Sequence, residues 1–580
     1  MTVRPDSPAA IAAANAQEKV YSCIDADQNF RLEAGAGSGK TYSLVKALKR
    51  LIDERGSAMM QAGQQVACIT FTEVARDEIA QEIERHPAIL VETIHAFCWS
   101  FMAQFQKPLR NMVADLTDRQ EKIDEGGGIG RKPVEYNLGF FGVDEDKITL
   151  NHDDIPRFMA AFLAQPKFRK LLAQRFPVIF IDEYQDTDQH FMTAVSEHFF
   201  ATGEGPLIGL YGDHWQTIYR GDYGLVDFPD VTGIDKGANF RSASAVVTVL
   251  NKLRPELVQE VSDPELPGEA RFFHTNGYSG VRLDVNHFKG DLPDDASRQT
   301  AARLRVRLEA EGWDFATDKT KVLMLTHSAL AAEQGYPNIA DIFDRNEAFA
   351  KKEDALIAFL ADTLEPMFDA YSRKRFGEMF RIIGGGPTVD RHADKTAWNT
   401  DMDTLRRLRE NGSIGQVLDL LKHSRRPRLP DKVMRREDDL ERAGQEPAEE
   451  EDKAVTRHRR LREVPYREVI QLVRFLNRST PFATQHSVKG AEFENVLVIL
   501  GGGWNHYNWP LLLEFLKTRK IPAAKTKGYY RARNLFYVAI SRPKRRLAVL
   551  ATQLLSADGL AAAHDLFGAE NIVDIGASGL

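Results

Sequence analysis

Cysteine is scarce in this chain, with only Cys23, Cys68 and Cys98 among 580 residues. So few thiols exclude a disulfide scaffold and an all-cysteine metal cluster. Cys68 and Cys98 sit among apolar neighbours, the pattern of buried reduced thiols in a cytoplasmic protein. Long apolar runs are missing as well, and none approaches the ~20 residues that span a bilayer. The alanine-rich start, Pro8 to Ala16, has neither a basic flank nor a long apolar core, which argues against a secretory signal. Positive charge is not in excess: 76 Lys and Arg face 83 Asp and Glu, a net charge of −7. That balance excludes a globally basic nucleic-acid coat but leaves room for a local basic surface. No repeat recurs at a fixed period. What is present, 43% hydrophobic and 27% charged residues, is ordinary globular composition. The length suggests about three or four structural units.

Short apolar runs that read as buried strands alternate with helical periodicity. They are Val66 to Phe71, Val178 to Ile181, Leu207 to Tyr211, Val322 to Leu325, Val496 to Leu500 and Leu547 to Ala551. This alternation predicts an α/β fold of parallel sheets covered by helices on both faces. The runs fall into two groups and so predict two cores, the first from residues 1–98 and 166–233, the second from 234–365 and 478–580. Two insertions separate their parts. Residues 99–165 carry a glycine cluster, Gly126 to Gly128 and Gly130. Residues 366–477 run into mixed charge, and from about 423 to 463 aliphatics are so few that an exposed helical or partly disordered segment is expected.

The most informative stretch is Ala34-Gly35-Ala36-Gly37-Ser38-Gly39-Lys40-Thr41, which follows a short strand-like run and opens a helix with Leu44, Leu48, Leu51 and Ile52. Glycines let successive N–H groups curl inward, and the helix N-terminus adds partial positive charge, so the stretch reads as a phosphate loop. Lys40 would reach the β- and γ-phosphates, and the Thr41 hydroxyl would ligate Mg2+. Ala34 stands where the general pattern has glycine, and Arg31 and Glu33 make the preceding strand less apolar than a central parallel strand. Further on, Val178 to Ile181 delivers Asp182 and Glu183 to the end of an apolar strand, where ligands sit in doubly wound sheets. Asp182 would hold Mg2+ and Glu183 would polarise the attacking water. Water as acceptor implies hydrolysis and not transfer to a metabolite.

With the segments around them, these motifs resemble the UvrD/Rep-like superfamily 1 helicases. Asp182-Glu183-Tyr184-Gln185-Asp186 looks like the family's acidic box, and Ile69 to Ala75 and Thr93 to Cys98 resemble two further motifs. Gly212 to Tyr219, Asn239 to Ser242, Thr484 to Phe493 and Asn534 to Arg542 are similar to four more, in the family's order. The resemblance implies two RecA-like P-loop NTPase cores with mostly helical insertions, ATP and Mg2+ as cofactors, and movement 3′→5′ on single-stranded DNA.

It also assigns residues. Gly35, Gly37, Ser38, Gly39, Lys40 and Thr41 would cradle the phosphates, with Gln17 and Phe240 at the adenine and Glu492 near the ribose or metal. Gln216 would contact the γ-phosphate. Arg241 and Arg542 would be γ-phosphate arginines from the second core, so that hydrolysis requires the cores to close. DNA contacts are implied for Phe71, Thr72, Thr93, His95, Tyr219, Thr484 and His486. Arg531, Arg533 and Lys544 to Arg546 would add positive potential. After Tyr219 the chain departs from the family, reading Arg220-Gly221-Asp222-Tyr223. Two functions stay open. One is an ATP-driven translocase or helicase; the other is an ATP-gated DNA sensor or regulatory subunit of a nuclease-containing complex, in phage defence or repair.

Overall fold

The computed structural model describes residues 4–137, 141–218, 228, 230–324, 331, 334–343, 348–384, 392–444, 452–477, 480–484, 488–502 and 507–576. Among them, two six-stranded sheets organise the chain. The first contains β1 (Phe30–Ala34), β2 (Val66–Thr70), β3 (Ile89–Thr93), β4 (Val178–Asp182), β5 (Leu207–Gly212) and β6 (Thr232–Lys236). Their order is β3-β2-β4-β5-β1-β6, and every pairing is parallel.

Strands β2, β4 and β5 are buried along their whole length. Successive side chains of a strand point to opposite faces, and here both faces are covered. Val178 and Phe180 of β4 pack with Leu44 and Leu48 of helix α2 (Lys40–Gln61), which follows helix α1 (Pro8–Asp25) in the chain. Ile179 and Ile181 join a second cluster with Phe97 and Phe101. Two-sided burial is why these strands read as unbroken apolar runs. The edge strands β3 and β6 are partly exposed, which hides them from that reading.

The second sheet contains β7 (Glu269–His274), β8 (Thr320–Met324), β9 (Phe482–Thr484), β10 (Phe493–Leu500), β11 (Pro543–Ala551) and β12 (Ile572–Asp574), in the order β9-β8-β10-β11-β7-β12. The pairs β7–β12, β8–β9 and β8–β10 are parallel. The fold is therefore α/β with two parallel sheets flanked by helices. By packing, Met1–Ala270 and Tyr530–Arg546 form one compact unit, and Arg271–Tyr529 and Leu547–Leu580 form the other. Arg241 and Arg542, expected to arrive from the second core, both lie in the unit that carries the phosphate loop.

Within the first unit, residues 99–165 contribute helices and a small three-stranded sheet of Val134–Tyr136, Gly142–Val143 and Ile148–Leu150. Within the second, the charge-rich stretch near 423–463 holds the helices Asp431–Ala443 and Lys453–Glu463, and it is not merely exposed. Glu437 there is buried, 2.6 Å from His458 Nε2 and 2.5 Å from Arg462 Nη1. Mutual pairing lets these charges leave water. No helix among the described residues is long and apolar enough to cross a membrane.

Candidate functional site

The loop after β1 is shaped by two left-handed glycines, Gly37 (φ 78°) and Gly39 (φ 71°), and α2 starts at Lys40. A Cβ on Gly37 would come within 2.8 Å of Arg241 Cβ and 2.9 Å of Asn239 Oδ1, so both backbone angle and space require glycine. Neighbouring segments clasp the loop. Phe240 N–H donates to the Gly37 carbonyl at 2.8 Å. Asn239 and Gln259 side-chain amides donate to the Ala36 carbonyl at 3.2 and 3.1 Å. Ala36 N–H donates to the Tyr537 hydroxyl at 3.1 Å. Thr41 follows, half-buried, in the first turn of α2.

Lys40 reaches from this loop to the ends of the acidic strand. Its ammonium lies 3.2 Å from Asp182 Oδ1 and 2.5 Å from Glu183 Oε1. Burial alone would lower the ammonium, but the two carboxylates outweigh it and hold Lys40 above its ordinary value. Asp182 is pushed up by burial, against the attraction of Lys40 and with the repulsion of Glu183. Two acids beside one lysine leave the cluster short of positive charge. Ser38 Oγ is buried without a hydrogen-bond partner in the chain, and Asp182 Oδ1 has only the Lys40 ammonium beside it. Buried polar atoms left this way normally meet a ligand, ion or water. An oxygen-rich, anionic donor set beside a glycine-rich loop at a helix N-terminus suits Mg2+ and a polyphosphate. The Gln17 amide is likewise buried with neither its oxygen nor its nitrogen partnered.

Glu183 sits in the left-handed region, φ 50° and ψ 44°, where a non-glycine residue is strained. That turn sends its carboxylate back towards Lys40 and towards Gln185, whose side-chain amide donates to Glu183 Oε2. Gln185 Oε1 in turn accepts from the backbone N–H of Asp213 at 3.0 Å. The Asp213 carboxylate accepts from Gln216 Nε2 at 2.8 Å, and Gln216 Oε1 lies 3.5 Å from Arg542 Nη2. Arg542 is fully buried; its Nε donates to the Val538 carbonyl at 2.8 Å. Arg241 Nη1 donates to the Ser541 carbonyl at 3.1 Å, which brings the two guanidinium groups together. Burial and the nearby Arg241 push Arg542 down to about 9. One connected path thus runs from Lys40 through Glu183, Gln185, Asp213 and Gln216 to Arg542.

Beneath it lies a cluster that sequence reasoning missed. Glu33 of β1 is buried, accepts from the Tyr184 hydroxyl, and lies 3.1 Å from His214 Nδ1 and 3.5 Å from Arg254 Nη2. Burial alone would raise the Glu33 carboxyl, but His214, Tyr184 and Arg254 overcome it and hold it at about 2. Arg254 also binds Asp213 Oδ1 at 2.6 Å and lies over the Trp215 and Tyr537 rings. The polar intrusion at Glu33 was the available signal, because a carboxylate inside a central strand demands buried partners. Helix Thr526–Ile540 docks on the same patch: Arg533 lies 3.6 Å over Trp215, and Asn534 Nδ2 donates to the Thr217 carbonyl at 3.1 Å.

The residues expected along a nucleic-acid track are scattered in kind. Phe71 is 43% exposed, at the carboxyl end of β2. Thr72 and Thr93 cap helices, accepting from Ala75 N–H and Ala96 N–H. His95 stacks on His152, with ring centroids 3.4 Å apart, and burial with that neighbour pushes it down to about 4. Thr484 is buried and Glu492 exposed in the second unit. Tyr219, Arg220 to Tyr223 and His486 lie outside the described residues.

Comparison with known proteins agrees with the loop geometry. A family model described as an AAA domain matches residues 17–222, less than half of the chain. Gabija protein GajB of Bacillus cereus (strain HuB5-5) is 21% identical over 677 residues, covering 92% of this chain and 94% of that protein. Among solved structures, the crystal structure of Arterivirus nonstructural protein 10 (helicase) matches 93% of this chain and 61% of its own, at 10% identity and a TM-score of 0.27. The chain therefore spans about three fifths of that viral protein. It contains an ATP-binding P-loop domain and is helicase-like in its motifs.

Proposed function

We propose that this chain hydrolyses ATP in response to single-stranded DNA and acts as a gated regulatory subunit beside a nuclease, in defence against foreign DNA. The observation that carries the reading is the path from Lys40 to Arg542, which joins the acidic pair to a buried arginine through Gln185, Asp213 and Gln216. The near full-length likeness to a Gabija protein supports the regulatory role over free unwinding.

In this reading Lys40 exchanges its carboxylate partners for the β- and γ-phosphates, and Ser38 and the loop N–H groups complete the cradle. Thr41 and Asp182 would hold Mg2+, which when bound neutralises phosphate charge. Glu183, freed from Lys40, accepts the proton of the attacking water at its carboxylate. Arg542 and Arg241 meet the charge that gathers on the γ-phosphate, a contribution that can reach about 10³–10⁵ in rate. Gln216 touches both Arg542 and the Asp213 hub, so loss of that phosphate reaches the Trp215 loop in one step. Gln17 and the Phe240 ring would take the adenine. Because Arg542 is followed directly by β11, its movement is passed along the backbone to the second sheet, and a partner reading that sheet senses the nucleotide state.

A translocating motor moving 3′→5′ is the second reading, favoured by Phe71, an exposed ring for base stacking at the sheet end. One experiment separates them: ATPase rate with matched single-stranded DNA, duplex DNA and RNA, together with displacement of a protein block from a single strand. The proposal expects stimulation by single-stranded DNA without displacement. Displacement favours the motor, and a rate indifferent to all three polymers refutes both. Arg542→Ala should lower turnover while leaving DNA affinity unchanged.

A further inference from the structure

Lys236 belongs to none of the motifs above, yet its side chain ends inside the phosphate loop. Strand β6 pairs with β1 so that Lys236 stands level with Ala34, the residue from which the loop departs. From there the ammonium, on a residue 1% exposed, donates to the Gly39 carbonyl at 2.8 Å and to the Ser43 hydroxyl at 2.7 Å.

Both acceptors lie at the first turn of α2, the positive end of that helix and an unfavourable place for a cation. Lys46 adds repulsion, and burial together with that charge holds Lys236 down to about 7. A buried ammonium at such a place is destabilising unless an anion joins it. The contact with Gly39 also has a geometric effect. A trans peptide points its C=O and N–H in opposite directions, so a carbonyl fixed by Lys236 aims the Lys40 N–H away from it. In a phosphate loop that opposite side is where the phosphates lie.

We propose that Lys236 is a positioning residue of the phosphate site, holding the Gly39–Lys40 peptide from behind and supplying a buried positive charge that a bound polyphosphate offsets. This rests on the reading of the loop as a nucleotide site. The distinguishing consequence is a split between affinity and stability. Removing the charge should weaken polyphosphate binding without harming the fold that carries it.

The test uses the full chain, its Lys236→Met and Lys236→Arg variants, calorimetric titration with MgATP, and the thermal unfolding midpoint without nucleotide. Loss of a charge-assisted bond predicts at least about tenfold weaker binding in Lys236→Met. Its unfolding midpoint should be equal to or above that of the parent, and Lys236→Arg should recover most of the affinity. If Lys236→Met does not fold, Lys236→Gln, which keeps a donor for Gly39 but no charge, is read by the same criteria. Parent-like affinity in the uncharged variant overturns this proposal alone. So does a fall in midpoint that accompanies the weaker binding and is not reversed by arginine. A parent chain that fails to bind MgATP overturns the nucleotide reading and this proposal with it.

Discussion

Replacing Arg254 with leucine should damage the first unit more than any surface change, and in a pH-dependent way. Arg254 is 2% exposed in its side chain and pairs with Asp213 at 2.6 Å and Glu33 at 3.5 Å, two acids that are themselves 1% and 5% exposed. Leucine fills part of the volume but leaves both carboxylates buried beside an apolar group. Breaking a buried ion pair from one side costs about 3–5 kcal/mol. The Glu33 carboxyl gives an independent scale. It lies at about 2 against an ordinary 4.5. At about 1.4 kcal/mol per pH unit that is roughly 3 kcal/mol of stability, shared among His214, Tyr184 and Arg254. The sign follows from the depression: this stability is fully present above about 4.5 and is lost as pH falls through about 2. Without Arg254 the Glu33 carboxyl rises, so the variant's deficit is largest near neutrality and narrows on acidification as Glu33 takes up a proton. Urea unfolding followed by tryptophan fluorescence at pH 7.5 and pH 5, with Trp215 beneath the substituted side chain, measures both effects. A deficit below about 1 kcal/mol, or one that widens at pH 5, would refute the reasoning.

Glu183→Gln should bind ATP normally yet turn it over about 10²–10⁴ times more slowly, checked by single-turnover kinetics at saturating nucleotide. Lys40→Ala should abolish hydrolysis altogether, and residual ATPase above background would remove Lys40 from the site. Gly37→Ala should lose nucleotide binding by more than about tenfold, because the added methyl meets Arg241 and Asn239 and the left-handed angle disfavours it. Titration with a fluorescent ATP analogue reads that loss directly.

The phosphate loop and the acid-bearing strand were legible because each is contiguous: glycines, a lysine and a run of buried aliphatics carry their meaning within a few residues. Strands β2, β4 and β5 were visible for the same reason, being buried on both faces. Strands β3 and β6 lie at the sheet edges, where mixed exposure dilutes the apolar pattern. Arg254, Lys236 and the Tyr537 contact with Ala36 could not be read, since an isolated arginine or lysine in sequence looks like a solvated side chain. Their meaning comes from what the fold brings beside them. The charged stretch near 423–463 is helical where described, in keeping with its composition, but composition cannot tell a wholly solvated helix from one whose Glu437 is buried against His458 and Arg462.

The clasp between the Ala36 N–H and the Tyr537 hydroxyl joins residues 501 positions apart. During synthesis the loop, both acids and the glutamine leave the ribosome long before the helix that supplies this hydroxyl and the Arg542 that follows it. A nascent chain carrying the complete loop is therefore still without its last arginine, and under the proposed reaction turnover waits until translation has passed Arg542. The same layout means that truncation before it should yield a protein that holds nucleotide but stays idle.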